Sequence, residues 1–320
     1  VKDMKALVTG GAGFIGSHLT AKLLSLKHDV SIIDNLHPYY SPERKQRQLR
    51  EMVKDKSFTF YHLDLLDYEK VTAVFNQEKP DCVFHLAALP GVPNSLLKPL
   101  EYVDYDIKAA INVLKAAGET GVKHILFASS SSVYGNQGNV PLKEEMATGN
   151  VISPYAAAKY GAEAFCQAYA NLFGYKLTIF RFFTVYGPWG RPDMAISKFV
   201  RKLLNGEEIV IYGEGSARDY TFVDDIIDGM VTALDKVSGS DIINLGAGQP
   251  VSMGELLDYL NEHFPGMKVR RAPERRGDVK ATWADITKAR EILGYEPKVL
   301  FKEGLAKTIE WAKRHESELY

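Results

Sequence analysis

The chain has 320 residues, of which 46% are hydrophobic and 25% charged, with a formal net charge of -1. That length can bury a large core, as one big domain or a large domain with a smaller partner. The near-zero charge excludes a bulk electrostatic case for nucleic acid or an anionic membrane surface, and no apolar run approaches the roughly 20 residues of a membrane span.

Residues 4–9 form a short apolar run, followed by glycines and then by a helical pattern over 14–26. The opening residues enter this strand directly, with no signal-peptide pattern. A second apolar run covers 30–33 and ends in Asp34. Residues 43–56 carry mixed charge and read as a solvated helical face. Further strand-type runs fall at 58–61, 82–86, 124–128, 177–180 and 242–245, with helical stretches near 68–77, 100–117 and 154–173. Two cysteines, Cys82 in a strand pattern and Cys166 in a helical one, read as buried free thiols, which points to a reducing, cytoplasmic location. The eight histidines fall into no metal-ligand spacing, so no metal is expected.

Apolar runs alternating with helices predict right-handed βαβ units, and hence an α/β fold with a doubly wound parallel sheet of the Rossmann type. After residue 181 the alternation weakens, and glycine, proline and arginine cluster at 187–193 and 273–278. The expected division is a dinucleotide-binding domain of 1–181 plus 217–248, with the segment 219–245 returning to the sheet. A smaller C-terminal α/β substrate-binding region would take 182–216 plus 249–320.

The segment T-G-G-A-G-F-I-G at 9–16 follows a strand pattern and opens a helix, the context a dinucleotide cradle requires. Gly10 permits the tight turn, Gly13 lets the backbone approach a pyrophosphate, and Gly16 allows close helix packing. Phe14 and Ile15 begin the helix whose N-terminal amides and dipole favour that anion. Asp34 is placed for the adenosine ribose diol, and Asn35 adds no cation for a 2′-phosphate, so NAD is expected rather than NADP. Asp64 and Leu65 after the third strand, and Leu86, Ala87 and Ala88 after the fourth, would wall the adenine and the middle of the cofactor.

Ser153-Pro154 is a helix start, with serine as N-cap and proline in the first turn. Tyr155 and Lys159 then share one helical face, about 6 Å apart along the axis. An ordinary tyrosine is a poor base at neutral pH, and a neighbouring ammonium favours the phenolate. Ser130, at the carboxyl end of the strand at 124–128, can bond the same substrate hydroxyl. The three residues suit removal of a proton from an alcohol while a nicotinamide takes the hydride.

With these motifs the chain resembles the extended short-chain dehydrogenase/reductases over essentially its whole length, and within them the nucleotide-sugar epimerases. The resemblance implies catalytic roles for Ser130, Tyr155 and Lys159, with Lys159 also on the nicotinamide ribose. It further implies a tightly held NAD, and a homodimer paired through the helices at 100–117 and 154–173. Related 4,6-dehydratases carry Asp-Glu, and uronate decarboxylases a glutamate, where this chain has Ser131-Ser132. Without a carboxyl group there, hydride return with inversion is the expected fate of a 4-keto sugar. The segment R-F-F-T-V-Y-G-P-W-G-R-P-D-M-A at 181–195 and N-L-H-P-Y-Y at 35–40 resemble UDP-glucuronate 4-epimerases. By that resemblance Thr184 and Arg191 lie near the sugar and could hold a carboxylate, Arg218 and Arg275 grip the diphosphate, and Tyr212 and Asp278 frame the uridine. One departure stands at P-G-V-P-N-S, with Pro93 where those epimerases commonly have arginine. UDP-glucose or UDP-N-acetylglucosamine is the alternative substrate, and a non-catalytic NAD-binding regulator the alternative of another class.

Overall fold

The structure is a computed structural model that describes residues 3–54, 56–213, 215–274 and 279–320. Its first half alternates strand and helix: β1 (Lys5–Thr9), α1 (Phe14–Ser25), β2 (Asp29–Asp34), α2 (Pro42–Val53), β3 (Thr59–His62), α3 (Tyr68–Glu78) and β4 (Cys82–His85). Then come α4 (Val92–Leu97), α5 (Pro99–Tyr102), a π-turn (Val103–Lys108), α6 (Ala109–Glu119), β5 (His124–Ser130), α7 (Pro154–Phe173) and β6 (Lys176–Phe182). The remainder runs β7 (Thr184–Tyr186), α8 (Ala195–Leu204), β8 (Ile209–Tyr212), β9 (Ala217–Phe222), α9 (Val223–Lys236), β10 (Ser240–Leu245) and β11 (Pro250–Ser252). It closes with α10 (Met253–His263), β12 (Val269–Ala272), α11 (Thr287–Leu293) and α12 (Phe301–Arg314).

Among the described residues, seven strands form one parallel sheet in the order β10-β6-β5-β4-β1-β2-β3. Successive side chains point to opposite faces, and both faces are apolar. Ala6, Val8, Ile32, Phe84 and Leu126 pack on one side, and Leu7, Ile33, Val83, Ile125 and Phe127 on the other. Helices α1, α2 and α9 pack together, as do α3, α6 and α7. The chain order reverses between β1 and β4, which opens a crevice beyond their carboxyl ends. The doubly wound α/β fold read from the sequence is the fold observed.

The later strands build two small sheets, β11-β9-β7 and β12-β8. The segment expected to return to the main sheet divides: Ser240–Leu245 pairs with β6, whereas Ala217–Phe222 pairs with β7 and β11. Two local expectations are also corrected. The helix read over 100–117 is interrupted by the π-turn, in which Asp106 is 2% exposed. The mixed-charge run is helical as far as Val53, but Arg44 and Lys45 are buried rather than solvated. Both cations find carbonyl oxygens, Arg44 on Gly190 and Glu318 and Lys45 on His37, so burial leaves neither charge bare.

A buried ion pair joins α7 to β6. Arg181 donates from Nε and Nη2 to the two carboxylate oxygens of Glu163, at 3.0 and 2.8 Å. The hydroxyl of Ser129 donates to Glu163, while Arg181 Nη1 reaches the Tyr134 hydroxyl and the Glu144 carbonyl. Tyr134 in turn donates to Asn244 on β10. Cys82 on β4 and Cys166 on α7 are free and buried.

Burial pushes His18 and His124 down to about 4 and His85 down to about 3, from the ordinary 6.5. Above pH 6.5 these groups are neutral in both states, and their stabilisation is fully present. As pH falls below 6.5 the unfolded chain takes up protons that the fold refuses, so this contribution is lost. Asp106 and Asp219 act in the opposite sense, since burial raises both to about 6 and their neutral forms favour the fold. His124 lies at the start of β5, with its ring nitrogen 2.8 Å from the Thr178 hydroxyl. We expect His124→Asn to lose less stability than the parent between pH 7 and pH 5, by up to about 1.4 kcal/mol per pH unit. Urea midpoints at the two pH values check this.

Candidate active site

The crevice begins at the turn after β1. Gly10 has φ +72°, and a Cβ there would stand 2.7 Å from the Ala87 nitrogen. A Cβ on Gly16 would stand 2.1 Å from the Gly10 carbonyl oxygen, so the turn and α1 can approach only with glycine at both places. Gly13 is the N-cap of α1 and supplies no side-chain cap, and the first turn carries no acidic residue. The leading amides of α1 are therefore bare of any competing carboxylate, as a pyrophosphate requires. These residues fit a dinucleotide.

Asp34 closes the far side. Its carboxylate accepts from the Ala12 and Leu36 amides at 3.0 and 2.8 Å, fixing the glycine turn against the end of β2. Asp64 is fixed in its turn, accepting from the Asn35 side chain at 3.0 Å, the Leu66 amide at 2.9 Å and the Tyr105 hydroxyl at 3.3 Å. One cavity is lined by all of the sequence-derived cofactor residues: the glycines with Phe14 and Ile15, Asp34 and Asn35, Asp64 and Leu65, Leu86 to Ala88, and Tyr155 with Lys159.

Helix α7 contributes Tyr155 and Lys159 to the wall of this cavity. Ser153 caps the helix, accepting from the Ala156 amide at 3.1 Å, and Pro154 occupies the first turn. Tyr155 is half-buried, its ring edge-on to Tyr102 at 6.1 Å. Lys159 is 5% exposed; its ammonium donates to the Ala128 carbonyl at 3.2 Å and lies 3.9 Å from Asp106. Ser130 caps a short 3-10 turn, accepting from the Ser132 amide at 3.2 Å and its hydroxyl at 3.0 Å. The neighbouring Ser129 is the serine that lines the cofactor cavity.

A second cavity adjoins the first, and Tyr39 and Arg191 line both. It contains Thr184, Tyr212 and Arg218, together with Pro93 and Asn94 from α4. Arg191 presents its Nε and Nη2 to the two oxygens of Asp193, each at 2.9 Å, and the Tyr39 hydroxyl donates to the same carboxylate. The fork is thus partly engaged within the protein. Arg218 donates to three backbone carbonyls, of Ala217, Lys280 and Val279. Arg275 and Asp278 lie outside the described residues.

Several groups at the site were missed in the sequence. Lys45 enters the cofactor cavity from α2; burial lowers its pKa, partly offset by Asp34, and its ammonium lies 4.5 Å from the Tyr40 ring. Asp106 and Asp193 were missed as well. A charge run carries no signal of which members turn inward, and a single acidic residue in a helical pattern carries none of what it faces.

Residues 6–246 match the NAD dependent epimerase/dehydratase family. The UDP-glucuronate 4-epimerase of Thermodesulfobacterium geofontis is 40% identical over 313 residues, covering 97% of this chain and 96% of that protein. Among solved structures, the UDP-glucuronic acid 4-epimerase of Bacillus cereus, in complex with UDP-glucuronic acid and NAD, is 33% identical with a TM-score of 0.91. It is matched over 97% of this chain and 99% of that one. The UDP-glucose 4-epimerase of Thermotoga maritima, with UDP-glucose, is 34% identical with a TM-score of 0.89 over the same shares. The glycine turn, the carboxylate after β2 and the tyrosine–lysine face of α7 thus stand in a chain that belongs to the NAD dependent epimerase/dehydratase family.

Proposed function

We propose that the chain is a nucleotide-sugar 4-epimerase that interconverts UDP-glucuronate and UDP-galacturonate through a transient 4-keto sugar. The observation that carries this reading is that Tyr155 and Lys159 line the cofactor cavity together with Arg191, which also lines the second cavity. NAD held against the glycine turn, Asp34 and Lys159 would supply the acceptor for the C4 hydride and the donor for its return.

Tyr155 takes the proton of the C4 hydroxyl during oxidation and gives it back on reduction. Lys159, anchored on the Ala128 carbonyl, holds a positive charge beneath that exchange. Ser130 bonds the reacting hydroxyl, after release from its bond with Ser132. Hydroxyls, rather than carboxylates, occupy positions 131 and 132, so hydride return with inversion is favoured over dehydration.

Arg191 and Thr184 hold the sugar carboxylate, Arg218 and Arg275 the diphosphate, and Tyr212 and Asp278 the uridine. A 4-keto uronate is a β-keto acid, so a grip on its carboxylate also guards against loss of carbon dioxide. Two hydrogen bonds from Arg191 to that carboxylate would use Nη1 and, in place of its present contact with Met194 Sδ, the second proton of Nη2. The same Arg191–Asp193 pair supports a second reading, epimerisation of a neutral sugar, because it is already balanced in charge.

In this reading the division expected from the sequence, 1–181 plus 217–248 for NAD and 182–216 plus 249–320 for the UDP-sugar, is amended at 217–222, where Arg218 serves the UDP-sugar side. A homodimer is supported by apolar side chains exposed on α4, α5 and α7, among them Leu97, Leu100, Leu172 and Phe173. Light scattering should read twice the chain mass. Buried free thiols suit a reducing cytoplasm, and among the described residues no helix is long and apolar enough to cross a membrane.

Purified protein given UDP-glucuronate without added NAD should form UDP-galacturonate, followed by proton NMR. Turnover of UDP-glucose or UDP-N-acetylglucosamine alone would select the second reading, and a UDP-pentose product would overturn the argument from Ser132. Tyr155→Phe should lower turnover by at least 100-fold with NAD still bound. Arg191→Ala should lower turnover of UDP-glucuronate or release a decarboxylated product, while leaving a neutral-sugar reaction nearly unchanged.

A further inference from the structure

One buried carboxylate at the site has no place in that scheme. Asp106 sits in the π-turn, where the helix widens by one residue and breaks the regular rotation of its side chains. Its Oδ1 accepts from the Leu89 amide at 2.6 Å. Its Oδ2 accepts no hydrogen bond, is buried, and faces the Lys159 ammonium at 3.9 Å. One carboxylate therefore ties the segment after β4, which walls the cofactor cavity, to the lysine beneath the reacting tyrosine.

Of the groups around it, Lys159 is the charged one. Tyr155 projects from the same helix one turn earlier, and Tyr102 approaches from α5 with its phenol pushed up to about 12 by burial. His85 on β4 is held neutral, pushed down to about 3 by burial and by Lys159. Tyr105 and Asp104 share the π-turn with Asp106 but are partly exposed.

We infer that Asp106 is a positioning residue for the proton transfer: it orients the Lys159 ammonium through its free oxygen and offsets part of the charge that Lys159 exerts on Tyr155. The inference rests on the epimerase reading above. Burial raises Asp106 to about 6, against the pull of Lys159 and the Leu89 amide, so it is ionised near neutral pH. Removing its charge while keeping its shape leaves the field of Lys159 uncompensated, which favours the phenolate at lower pH.

The test compares Asp106→Asn, which keeps the acceptor for Leu89, with Asp106→Ala, which does not. Their kcat/KM is followed between pH 5 and pH 9 with the UDP-sugar that the parent turns over. The acid limb of Asp106→Asn should move about one unit to lower pH, with NAD content unchanged. Asp106→Ala should show the same displacement and, in addition, lower NAD retention from the loosened Leu89 segment. An acid limb that superimposes on the parent in both variants overturns the inference, whatever their stability. Tyr155→Phe, run alongside, separates the two readings: if it keeps activity the epimerase assignment of the site fails, and if it is inactive while the limbs superimpose only the role of Asp106 fails.

Discussion

The arrangement of the site depends on one buried contact, the pairing of Arg181 with Glu163. Each side chain is about 3% exposed, and the two meet through a pair of parallel hydrogen bonds. Such a pair adds little net stability, because both charges must leave water, but losing one partner strands the other at a cost of about 3–5 kcal/mol. Its effect here is registration. Ser129 on β5, Tyr134 beyond it and Asn244 on β10 all bond into the same cluster. Glu163 lies one helical turn beyond Lys159, which lies one turn beyond Tyr155, so the three form a stripe along α7. Fixing Glu163 on β6 sets the rotation of the helix, and with it the direction of the two residues that face the reacting sugar.

Charge is handled in the same way throughout the crevice. Lys159 rests between the Ala128 carbonyl and Asp106, Arg191 is forked on Asp193, and Asp34 receives two backbone amides. Each ionic group is oriented before any ligand arrives, which lowers the reorganisation needed when charge shifts during reaction. The bare amides at the start of α1 are the exception, and they lie where a pyrophosphate belongs.

The fold was legible because its signals are local and periodic. Apolar runs at 4–9, 30–33 and 124–128 carry their own period, and Gly10 and Gly16 mark backbone approaches that no other residue tolerates. Tyr155 and Lys159 were legible because four-residue spacing places them on one face. What stayed hidden depends on contacts distant in sequence. Nothing near Lys45 indicates that it turns toward the cofactor cavity, and nothing near Asp106 indicates the π-turn that aims it at a lysine 53 residues away. Arg218 was read as a grip on the diphosphate; it lines the second cavity, where it donates to three backbone carbonyls in and beside a loop that sequence pattern does not place.

The two thiols give the molecule a built-in clock. Burial pushes the Cys82 thiol up to about 12 and raises Cys166 as well, so neither presents a thiolate to solvent in the closed state. Alkylation can proceed only through excursions that bare the sheet or lift α7 from it, and its rate at each cysteine counts those excursions. Cys82 times the opening of the sheet interior, and Cys166 times the detachment of the helix that carries Tyr155 and Lys159. A ligand spanning the crevice would slow both clocks, and the one that slows more tells which part of the molecule the ligand holds shut.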